Sequence, residues 1–411
     1  MSGGLVVQKY GGTSVGSVER IREVARRVAA TAAAGRRVIA VVSAMAGETD
    51  RLLSLVREVS PEAPPRESDV VVASGEQVSA ALLAIALEAA GTPACSFLGH
   101  QIRIRTDGAH GRARIRSIES DGLQAALEQG RVAVVAGFQG DGPGGAITTL
   151  GRGGSDTTAV AIAAATGADV CEIYTDVDGV HTTDPRICRR ARRLERISYD
   201  EMLELASLGA KVLQIRSVEF ARRYGVPLHV RSSFSEEPGT WVVPEEATME
   251  DVLVSGIACD RDQAKITLTR VPDRPGLAAR IFSPIAAVGI VVDMIIQNAA
   301  EDGTTDITFT VPRAEVGQAL ELVAEVGRTI GAGEPRAEGD ICKVSVVGLG
   351  MRSHAGVAAR IFETLAREGI NVQMISTSEI KISVVIDAAA GERAVRALHE
   401  ELVDAGGGGE P

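Results

Sequence analysis

Residues 5–21 read LVVQKYGGTSVGSVERI, an apolar run followed by a glycine pair and an amphipathic pattern. The apolar start is typical of a short buried strand. Gly11 and Gly12 permit a tight turn and a close approach of backbone N–H groups to a ligand. After Ser17, apolar residues recur at helical spacing and predict a helix. A strand, a glycine turn and a helix start can together bind an anion, although an ordinary turn with a solvated Lys9 also fits this stretch.

The composition narrows the class of protein. A length of 411 residues predicts two or three domains, and 45% hydrophobic with 3% aromatic residues predicts aliphatic cores. The net charge of −11 argues against a surface for nucleic acid or an anionic membrane. The arginine-rich run at 186–196 fits a solvated face better than a phosphate contact.

The cysteines and the N-terminus indicate the compartment. The five cysteines contain no C-x-x-C pair, which favours reduced, buried thiols over a disulfide framework or a zinc site. They are Cys95, Cys171, Cys188, Cys259 and Cys342. The first residues lack the features of a signal peptide, and no stretch reaches ~18 apolar residues. We therefore expect a soluble, cytoplasmic protein.

Up to about residue 233, apolar strands alternate with helical patterns. The predicted strands lie at 36–45, 131–139, 170–177 and 226–232, and the predicted helices at 74–91 and 155–167. This alternation predicts an α/β domain with a mainly parallel sheet, in three αβα layers. The polar, proline-bearing segment 235–251 indicates the domain boundary.

The C-terminal part contains an internal repeat. GLAARIFSPIAAVGIVVDMIIQN (276–298) and GVAARIFETLAREGINVQMISTS (356–378) are identical at 12 of 23 positions. Flanking strand and helix patterns give each copy the order of a ferredoxin-like βαββαβ fold. The second copy ends in GGGGEP, which cannot supply the fourth strand. Residues 252–260 can fill that edge.

The first repeat is therefore predicted to be inserted in the second. The expected domains are 1–245, then 263–335, and finally 250–262 together with 338–405.

Two glycine-rich stretches differ in how strongly they indicate a binding site. GDGPGG (140–145) matches G-x-G-x-x-G but does not run straight into a helix, so dinucleotide binding is disfavoured. In TLGRGGSDTTAVAIA (149–163), Ser155 is the expected N-cap, Arg152 can clamp a carboxylate and Asp156 lies at the positive end of the helix dipole. A well-capped core helix is the alternative.

Two later stretches are further candidates. YTDVDGVHTTDPR (174–186) follows a strand, at the position where open α/β sheets bind ligands, although a plain loop also fits. LGAKVLQIRSVEFA (208–221) places Lys211 beside a glycine, which alone is more typical of a structural role.

Taken together, these stretches resemble the signature segments of aspartokinases, in the family's order. The segments are KYGGTSV, VVSAMAGETD, ASGEQVSAALLA, TLGRGGSDTTAVA, YTDVDGVHTTDPR and GAKVLQIRSVEFA. The C-terminal repeat resembles the paired ACT domains of the same enzymes. The resemblance implies transfer of the γ-phosphoryl of ATP to the side-chain carboxylate of L-aspartate. The product would be 4-phospho-L-aspartate, which opens synthesis of lysine, threonine, methionine and diaminopimelate.

The resemblance also implies residue roles. Lys9 and Asp156 would be catalytic, with Asp156 orienting Lys9 and the substrate amino group. The aspartate pocket would comprise Ser43, Thr49, Glu76, Arg152, Gly153, Gly154 and Ser155, with Arg152 on the α-carboxylate. The ATP site would comprise Lys9, Tyr10, Gly11, Gly12, Thr175, Asp176, His181, Asp184, Arg186 and Lys211. Mg²⁺ would arrive on the ATP phosphates.

The chain departs from the family's usual pattern at two places. His181 stands where tyrosine or phenylalanine is common, which puts nucleotide stacking there in doubt. The segment between GFQG and TTLGR is short, which bears on how a loop closes over substrate.

The ACT resemblance implies feedback by lysine, threonine or both, bound where a loop meets a helix in a homodimer or higher oligomer. The implied contacts are Asp273, Arg274, Gly276, Gln297, Asn298, Asn371 and Thr377. Ala300 and Ala355 replace polar or proline residues often found near these loops, so the effector stays open. This half of the chain could also serve only in dimerisation. An internal start at Met249 would give a shorter second subunit.

Two rival functions remain at this point. One is another amino-acid kinase, acting on glutamate, acetylglutamate or a nucleotide. The other is a non-catalytic amino-acid sensor with a dead kinase domain. Arg152 and the ACT-like repeats count against the first, and intact Lys9, Arg152 and Asp156 count against the second.

Overall fold

The computed structural model describes residues 3–208, 212–245, 253–299, 303–352, 354 and 356–404. The chain divides into two compact units. The first contains residues up to His181, 193–207 and 211–249, and the second contains 182–192, 208–210 and the rest of the chain from Glu250. The short segment 182–192 thus groups with the C-terminal unit.

The first unit is built on an eight-stranded sheet in the order β10-β12-β11-β9-β1-β2-β6-β3. All neighbouring pairs are parallel except β11 with β12. The strands are β1 Leu5–Tyr10, β2 Arg37–Val42, β3 Ala94–Phe97, β6 Val132–Ala136, β9 Val170–Thr175, β10 Arg196–Ser198, β11 Leu228–Ser232 and β12 Thr240–Val243. The mainly parallel α/β sheet expected from the sequence is confirmed.

Seven helices of the described first unit accompany this sheet. They are α1 Val18–Ala33, α2 Glu48–Val59, α3 Pro65–Ala89, α4 Asp121–Glu128, α5 Gly154–Thr166, α6 Tyr199–Ser207 and α7 Ile215–Tyr224. The core on the α1 and α3 side is aliphatic, with side chains such as Val28, Leu83 and Val134 fully buried. Helix α3 begins nine residues before the expected start, because Pro65 occupies its first turn, where proline is tolerated.

Among the described helices, α3 is long and apolar enough to cross a membrane by length and composition. Half of its most apolar window is nevertheless buried in the fold. It packs against α1, α2 and β3, so its apolar composition matches its position among the elements of the first unit.

A second, smaller sheet of the first unit was not expected from the sequence. Its order is β5-β4-β7-β8. The strands are β4 Arg105–Thr106, β5 Ile115–Ser117, β7 Gln139–Asp141 and β8 Ile147–Thr149. These strands have two or three residues each, too few for a period-two pattern to stand out.

The second unit contains two four-stranded antiparallel sheets. The first has the order β15-β16-β14-β17 and the second β13-β18-β20-β19. The strands are β13 Gly256–Asp260, β14 Gln263–Pro272, β15 Ile295–Ala299, β16 Thr304–Pro312, β17 Arg336–Glu338, β18 Ile341–Val347, β19 Met374–Thr377 and β20 Lys381–Asp387. The helices are α8 Leu277–Ala287, α9 Val316–Ile330, α10 Val357–Arg367 and α11 Gly391–His399. The two ferredoxin-like folds are therefore confirmed.

Strand β13 pairs antiparallel with β18, as the outer strand of the second sheet. Its Ile257 N–H also donates to Thr182 O at 2.7 Å. The strand that precedes the first sheet in the chain thus belongs to the second sheet, and it touches the segment 182–192.

The two sheets of the second unit share an apolar contact and an ion pair. Met294 and Ile296 of the first sheet pack with Ile341 and Met374 of the second. Beside this contact, the buried Lys343 ammonium pairs with Asp293. A buried ammonium needs such a partner because its desolvation is costly.

Candidate active site

The carboxyl end of β1 carries a buried ion pair. Lys9 Nζ lies 2.6 Å from Asp156 Oδ1, and each side chain is only 11% exposed. Lys9 is the penultimate residue of the central strand β1, and Asp156 lies in the first turn of α5. Strand and helix therefore place a fixed positive charge where the positive end of the α5 dipole emerges.

The glycine turn after β1 lies beside the neighbouring strand β9 and the loop after β2. Gly11 N–H donates to Tyr174 O at 3.2 Å, and a Cβ at Gly11 would lie 3.4 Å from Lys9 Nζ. A Cβ at Gly12 would lie 3.0 Å from Ala44 O. The turn thus runs beside both the lysine and the loop after β2, and larger residues would fill that space.

The start of α5 differs from the expectation. The helix begins at Gly154, and its N-cap is Gly153 in the left-handed region at φ +66°. The prediction of Ser155 as N-cap is wrong, because the preceding turn requires a positive φ that only glycine adopts at low cost. Arg152 lies exposed in this turn, between the left-handed Gly151 and Gly153.

Glu76 of α3 is buried against the loop after β2. Its Oε1 accepts a hydrogen bond from Ala44 N–H at 2.9 Å, and its Oε2 has no hydrogen-bond partner among the described residues. Burial raises the pKa of Glu76 to about 7. An unpartnered carboxylate oxygen beside the glycine turn can take a cation. Ser43 and Thr49 lie on the same loop and at the start of α2, both partly exposed.

The carboxyl end of β9 holds the next predicted residues. Thr175 ends the strand, and its hydroxyl donates to Asp176 Oδ1 at 3.0 Å. His181 forms an isolated bridge with Arg193, and its Nε2 lies 3.5 Å from Asp178 Oδ1. Because β9 neighbours β1 in the sheet, Thr175 and Lys9 stand at the same edge.

Three further residues are predicted to line the nucleotide site. Asp184 and Arg186 fall in the second unit, where the guanidinium contacts the carboxylate with Nη2 at 2.8 Å from Oδ2. Lys211 lies outside the described residues, as do Met249, Ala300 and Ala355.

The first sheet of the second unit contains a cavity of about 340 Å³ at the start of α8. Asp273, Arg274, Gly276 and Gln297 line it. Gly276 is the N-cap of α8 with φ +90°. Asn298 follows Gln297 on β15. The effector contacts predicted in the second repeat, Asn371 and Thr377, are exposed.

Family models match most of the chain. The amino acid kinase family matches residues 4–232, and ACT domain models match 265–328 and 344–402. An aspartokinase of Pseudomonas aeruginosa is 58% identical over 397 residues, which cover 96% of both chains.

The chain belongs to the aspartokinase family. It is accordingly an ATP-dependent kinase of aspartate.

Two solved aspartokinase structures resemble the whole chain. E. coli aspartokinase III in complex with aspartate and ADP, in the R-state, has a TM-score of 0.81 at 26% identity. The same enzyme in complex with lysine and aspartate, in the T-state, has a TM-score of 0.78 at 27% identity. Each comparison covers 97% of this chain and 99% of the other.

Sequence reasoning missed two residues that shape this aspartokinase site. Asp69 of α3 is 2% exposed, and its carboxylate accepts hydrogen bonds from Thr149 Oγ1 at 2.6 Å and from the N–H groups of Thr149 and Gly111 at 3.1 Å. His110 Nδ1 lies 2.7 Å from the same carboxylate. Asp69 thus anchors Thr149, the last residue of β8, which lies three residues before Arg152 in the chain.

Phe138 is the second missed residue. It has a φ of +69°, and its N–H donates to Thr158 Oγ1 of α5 at 3.1 Å. Its ring lies 2.8 Å from where a Cβ at Gly154 would stand. A bulky residue in the left-handed region is strained, which is a feature of functional sites. The local sequence gives no signal for such a conformation.

The Asp69 anchor leads to a stability prediction. Asp69→Asn turns an amide N–H₂ toward groups that donate to the carboxylate, so we expect a loss of about 3 kcal/mol in unfolding free energy. Hydrogen exchange should accelerate at the amides of Gly111 and Thr149. The exposed Asp121→Asn is the matched control. Unchanged exchange at both amides in the Asp69 variant would contradict the anchor.

The pKa of Glu76 predicts a pH dependence of stability. Because the folded-state pKa of about 7 lies above the ordinary 4.5, the folded state holds the proton more tightly. Stability from this group is therefore full below pH 4.5 and falls by about 3 kcal/mol as the pH rises to 7.

Glu76→Gln keeps the acceptor for Ala44 and removes the titration. Its unfolding free energy, measured in urea from pH 4.5 to 8, should gain on the wild type as the pH rises and level off above 7. Glu62→Gln, on an exposed loop, is the control. A difference that stays constant with pH would refute the raised pKa.

Proposed function

We propose that the protein transfers the γ-phosphoryl group of ATP to the side-chain carboxylate of L-aspartate, giving 4-phospho-L-aspartate. The observation that carries this proposal is the buried Lys9–Asp156 ion pair, held between the glycine turn after β1 and the start of α5. Binding of aspartate and ADP by E. coli aspartokinase III supports the choice of substrates.

The reaction makes modest demands on proton transfer. A carboxylate with an ordinary pKa of ~3.9 is already ionised at neutral pH, so the nucleophile needs no general base. The barrier lies in bringing two anions together, which requires positioning and charge neutralisation. The Lys9 ammonium, with the backbone of Tyr10, Gly11 and Gly12, would hold the transferring phosphoryl group.

Asp156 would act by orienting Lys9. Its carboxylate fixes the ammonium at 2.6 Å and takes part in holding the substrate amino group. Glu76 would be the second acceptor for that amino group, because its Oε2 has no partner among the described residues. Binding of a cation there favours the ionised carboxylate, which lowers the pKa of Glu76.

The α-carboxylate of aspartate would be bound by Arg152 at the start of α5. The two residues just before its turn are fixed, since Arg216 Nη1 donates to Leu150 O at 2.8 Å and Asp69 holds Thr149. The positive end of the α5 dipole, at Gly153, Gly154 and Ser155, favours an anion beside Arg152. Ser43 and Thr49 would complete the pocket.

The nucleotide would lie at the carboxyl ends of β1 and β9, with Thr175, Asp176 and His181 beside it. We extend this set to Asp184, Arg186 and Lys211 on the family resemblance alone. The described residues form no cluster of three or more His, Cys, Asp or Glu side chains suited to a metal ion. On the family resemblance, we propose that Mg²⁺ arrives on the ATP phosphates, whose charge it neutralises.

The regulatory proposal concerns the second unit. The cavity at Asp273, Arg274, Gly276 and Gln297 would bind an amino-acid effector, with Asn298, Asn371 and Thr377 as further contacts. E. coli aspartokinase III binds lysine, which supports lysine as effector here, with threonine as the alternative. The positive end of the α8 dipole, at the start of the helix, would favour an effector carboxylate.

The remaining proposals concern assembly and context. The pairing of β13 with β18 supports the domain limits 1–245, 263–335, and 250–262 with 338–405. We further propose a homodimer or higher oligomer formed through the ACT domains, in the cytoplasm, with Met249 as the start of any shorter subunit. The product would feed synthesis of lysine, threonine, methionine and diaminopimelate.

The assay that tests the function traps acyl phosphate as hydroxamate, with ATP and a panel of acidic amino acids. Lys9→Ala should lower kcat by about 10²–10³-fold, because a donor aimed at the transition state is lost. Arg152→Ala should raise the KM for aspartate by about 10–100-fold, because a charge-assisted bidentate contact is lost.

Arg26→Ala, an exposed arginine on α1, is the control for both variants. A hydroxamate product with L-aspartate alone would support the proposal. No product with any acceptor, alongside measurable binding of lysine or threonine, would leave the sensor function instead. A normal kcat in Lys9→Ala would remove Lys9 from its assigned role.

A further inference from the structure

Two cysteines meet where the first ACT sheet is inserted into the second. Cys259 lies on β13 and Cys342 on β18, and their Sγ atoms are 2.8 Å apart. In the paired strands Cys259 stands opposite Val344, so Cys342 is its diagonal neighbour on β18. A disulfide bond measures about 2.05 Å, so the two sulfurs must still move closer together to be joined. The strands are already paired, with Asp260 opposite Lys343.

The place of this pair in the chain gives it a defined consequence. Strands β14 to β17, which build the first sheet, span Gln263–Glu338. They all lie between Cys259 and Cys342, which are 83 residues apart in sequence. The two sulfurs therefore stand at the neck through which the chain leaves the second sheet and returns to it. A covalent bond there closes the first ACT fold into a loop.

The surroundings of the pair divide the two thiols by reactivity. The hydrogen bond with Cys342, and then the Arg261 guanidinium, lower the pKa of Cys259. The hydrogen bond with Cys259 and burial raise the pKa of Cys342. Arg261 is held in place by Glu392 Oε1, 3.1 Å from its Nη2. Cys259 thus has the electropositive, partly exposed surroundings that favour a reactive thiolate.

The sequence favours buried thiols, but not all five cysteines are buried in the structure. Cys171, Cys188 and Cys342 are buried, while Cys95 and Cys259 are partly exposed. Of these two, Cys259 has the second sulfur within contact distance. A peroxide can therefore reach one thiol of the pair, and the second thiol lies behind it.

We propose that Cys259 and Cys342 form a reversible redox site, which a peroxide converts to an intramolecular disulfide at the neck between the two ACT folds. The Cys259 thiolate attacks one peroxide oxygen, the O–O bond breaks, and Cys259 sulfenic acid and hydroxide form. The Cys342 thiol then attacks the sulfenyl sulfur. The S–S bond forms, the S–O bond breaks, and the hydroxyl leaves with the Cys342 proton as water.

The bond would form close to the contacts between the second sheet and the segment 182–192, which belongs to the same unit. Two residues before Cys259, Ile257 N–H donates to the carbonyl of Thr182. On α11, Arg396 Nη1 lies 3.5 Å from Glu392 and 3.3 Å from Ile187 O, so the Arg261–Glu392 contact also extends to this segment. A disulfide at the neck would thus lie next to the contacts that hold the segment 182–192.

The test uses the full chain, reduced, freed of reductant and treated with hydrogen peroxide. Remaining thiols are alkylated, and the digest is analysed without reduction. The free thiols should fall from five to three per chain, and one cross-linked peptide should join Cys259 to Cys342. Dithiothreitol should restore all five thiols. This readout requires no kinase activity, so it stands or falls apart from the proposed function.

Variants separate the two roles. Cys342→Ser should leave Cys259 as a sulfenic acid that dimedone traps, and Cys259→Ser should leave Cys342 as a free thiol. Cys95→Ser, which removes the other partly exposed thiol, should form the cross-link as the wild type does. Recovery of Cys259 and Cys342 as alkylated thiols in the treated wild type would overturn the proposal. A cross-link found only between two chains would overturn it as well.

Discussion

The ion pair between Lys9 and Asp156 is the constraint on which the catalytic unit depends. A buried ammonium and a buried carboxylate are each costly alone, and each is tolerated here because the other lies 2.6 Å away. Keeping them together fixes the end of β1 against the start of α5, and with it the two glycine turns on either side. This ion pair therefore joins the central strand to the helix that begins beside it.

In the second unit, the short strand β13 takes part in several contacts at once. Strand β13 precedes the first ACT sheet in the chain but pairs with β18 of the second sheet. This short strand forms the outer edge of the second sheet, donates a hydrogen bond to Thr182 O and carries Cys259. Changes at this strand bear on the insertion of the first ACT fold and on the segment 182–192 together. For that reason, a disulfide between Cys259 and Cys342 at the neck would affect both the first ACT fold and the segment 182–192.

Much of this architecture could be predicted from the sequence, because it rests on strong periodicity. The buried strands that contain Val6, Val41 and Val134 are apolar runs in the sequence. The repeat of 276–298 at 356–378 predicts two similar folds. The sequence also predicts a glycine turn after β1, at Gly11 and Gly12. It does not predict the cap of α5, since Ser155 is the better N-cap by preference and only the tertiary turn demands a positive φ at Gly153.

Other features depend on distances that no local pattern encodes. Asp69 precedes Thr149 by 80 residues, and only the folded chain brings its carboxylate to β8. Phe138 has its left-handed φ where its N–H donates to Thr158 of α5 and its carbonyl accepts from Leu150, the residue after β8. Cys259 and Cys342 share no motif in the sequence. Long-range contacts of this kind are set by the sheet order, so they become visible only with the structure.

The most direct test of the central claim is a double-mutant cycle on kcat/KM with Lys9→Met and Asp156→Asn. If Asp156 acts chiefly by holding Lys9, its substitution should cost at least about tenfold less in the Lys9→Met background than in the wild type. Equal losses in both backgrounds would show that the two residues act independently, and would contradict the account of the site given above.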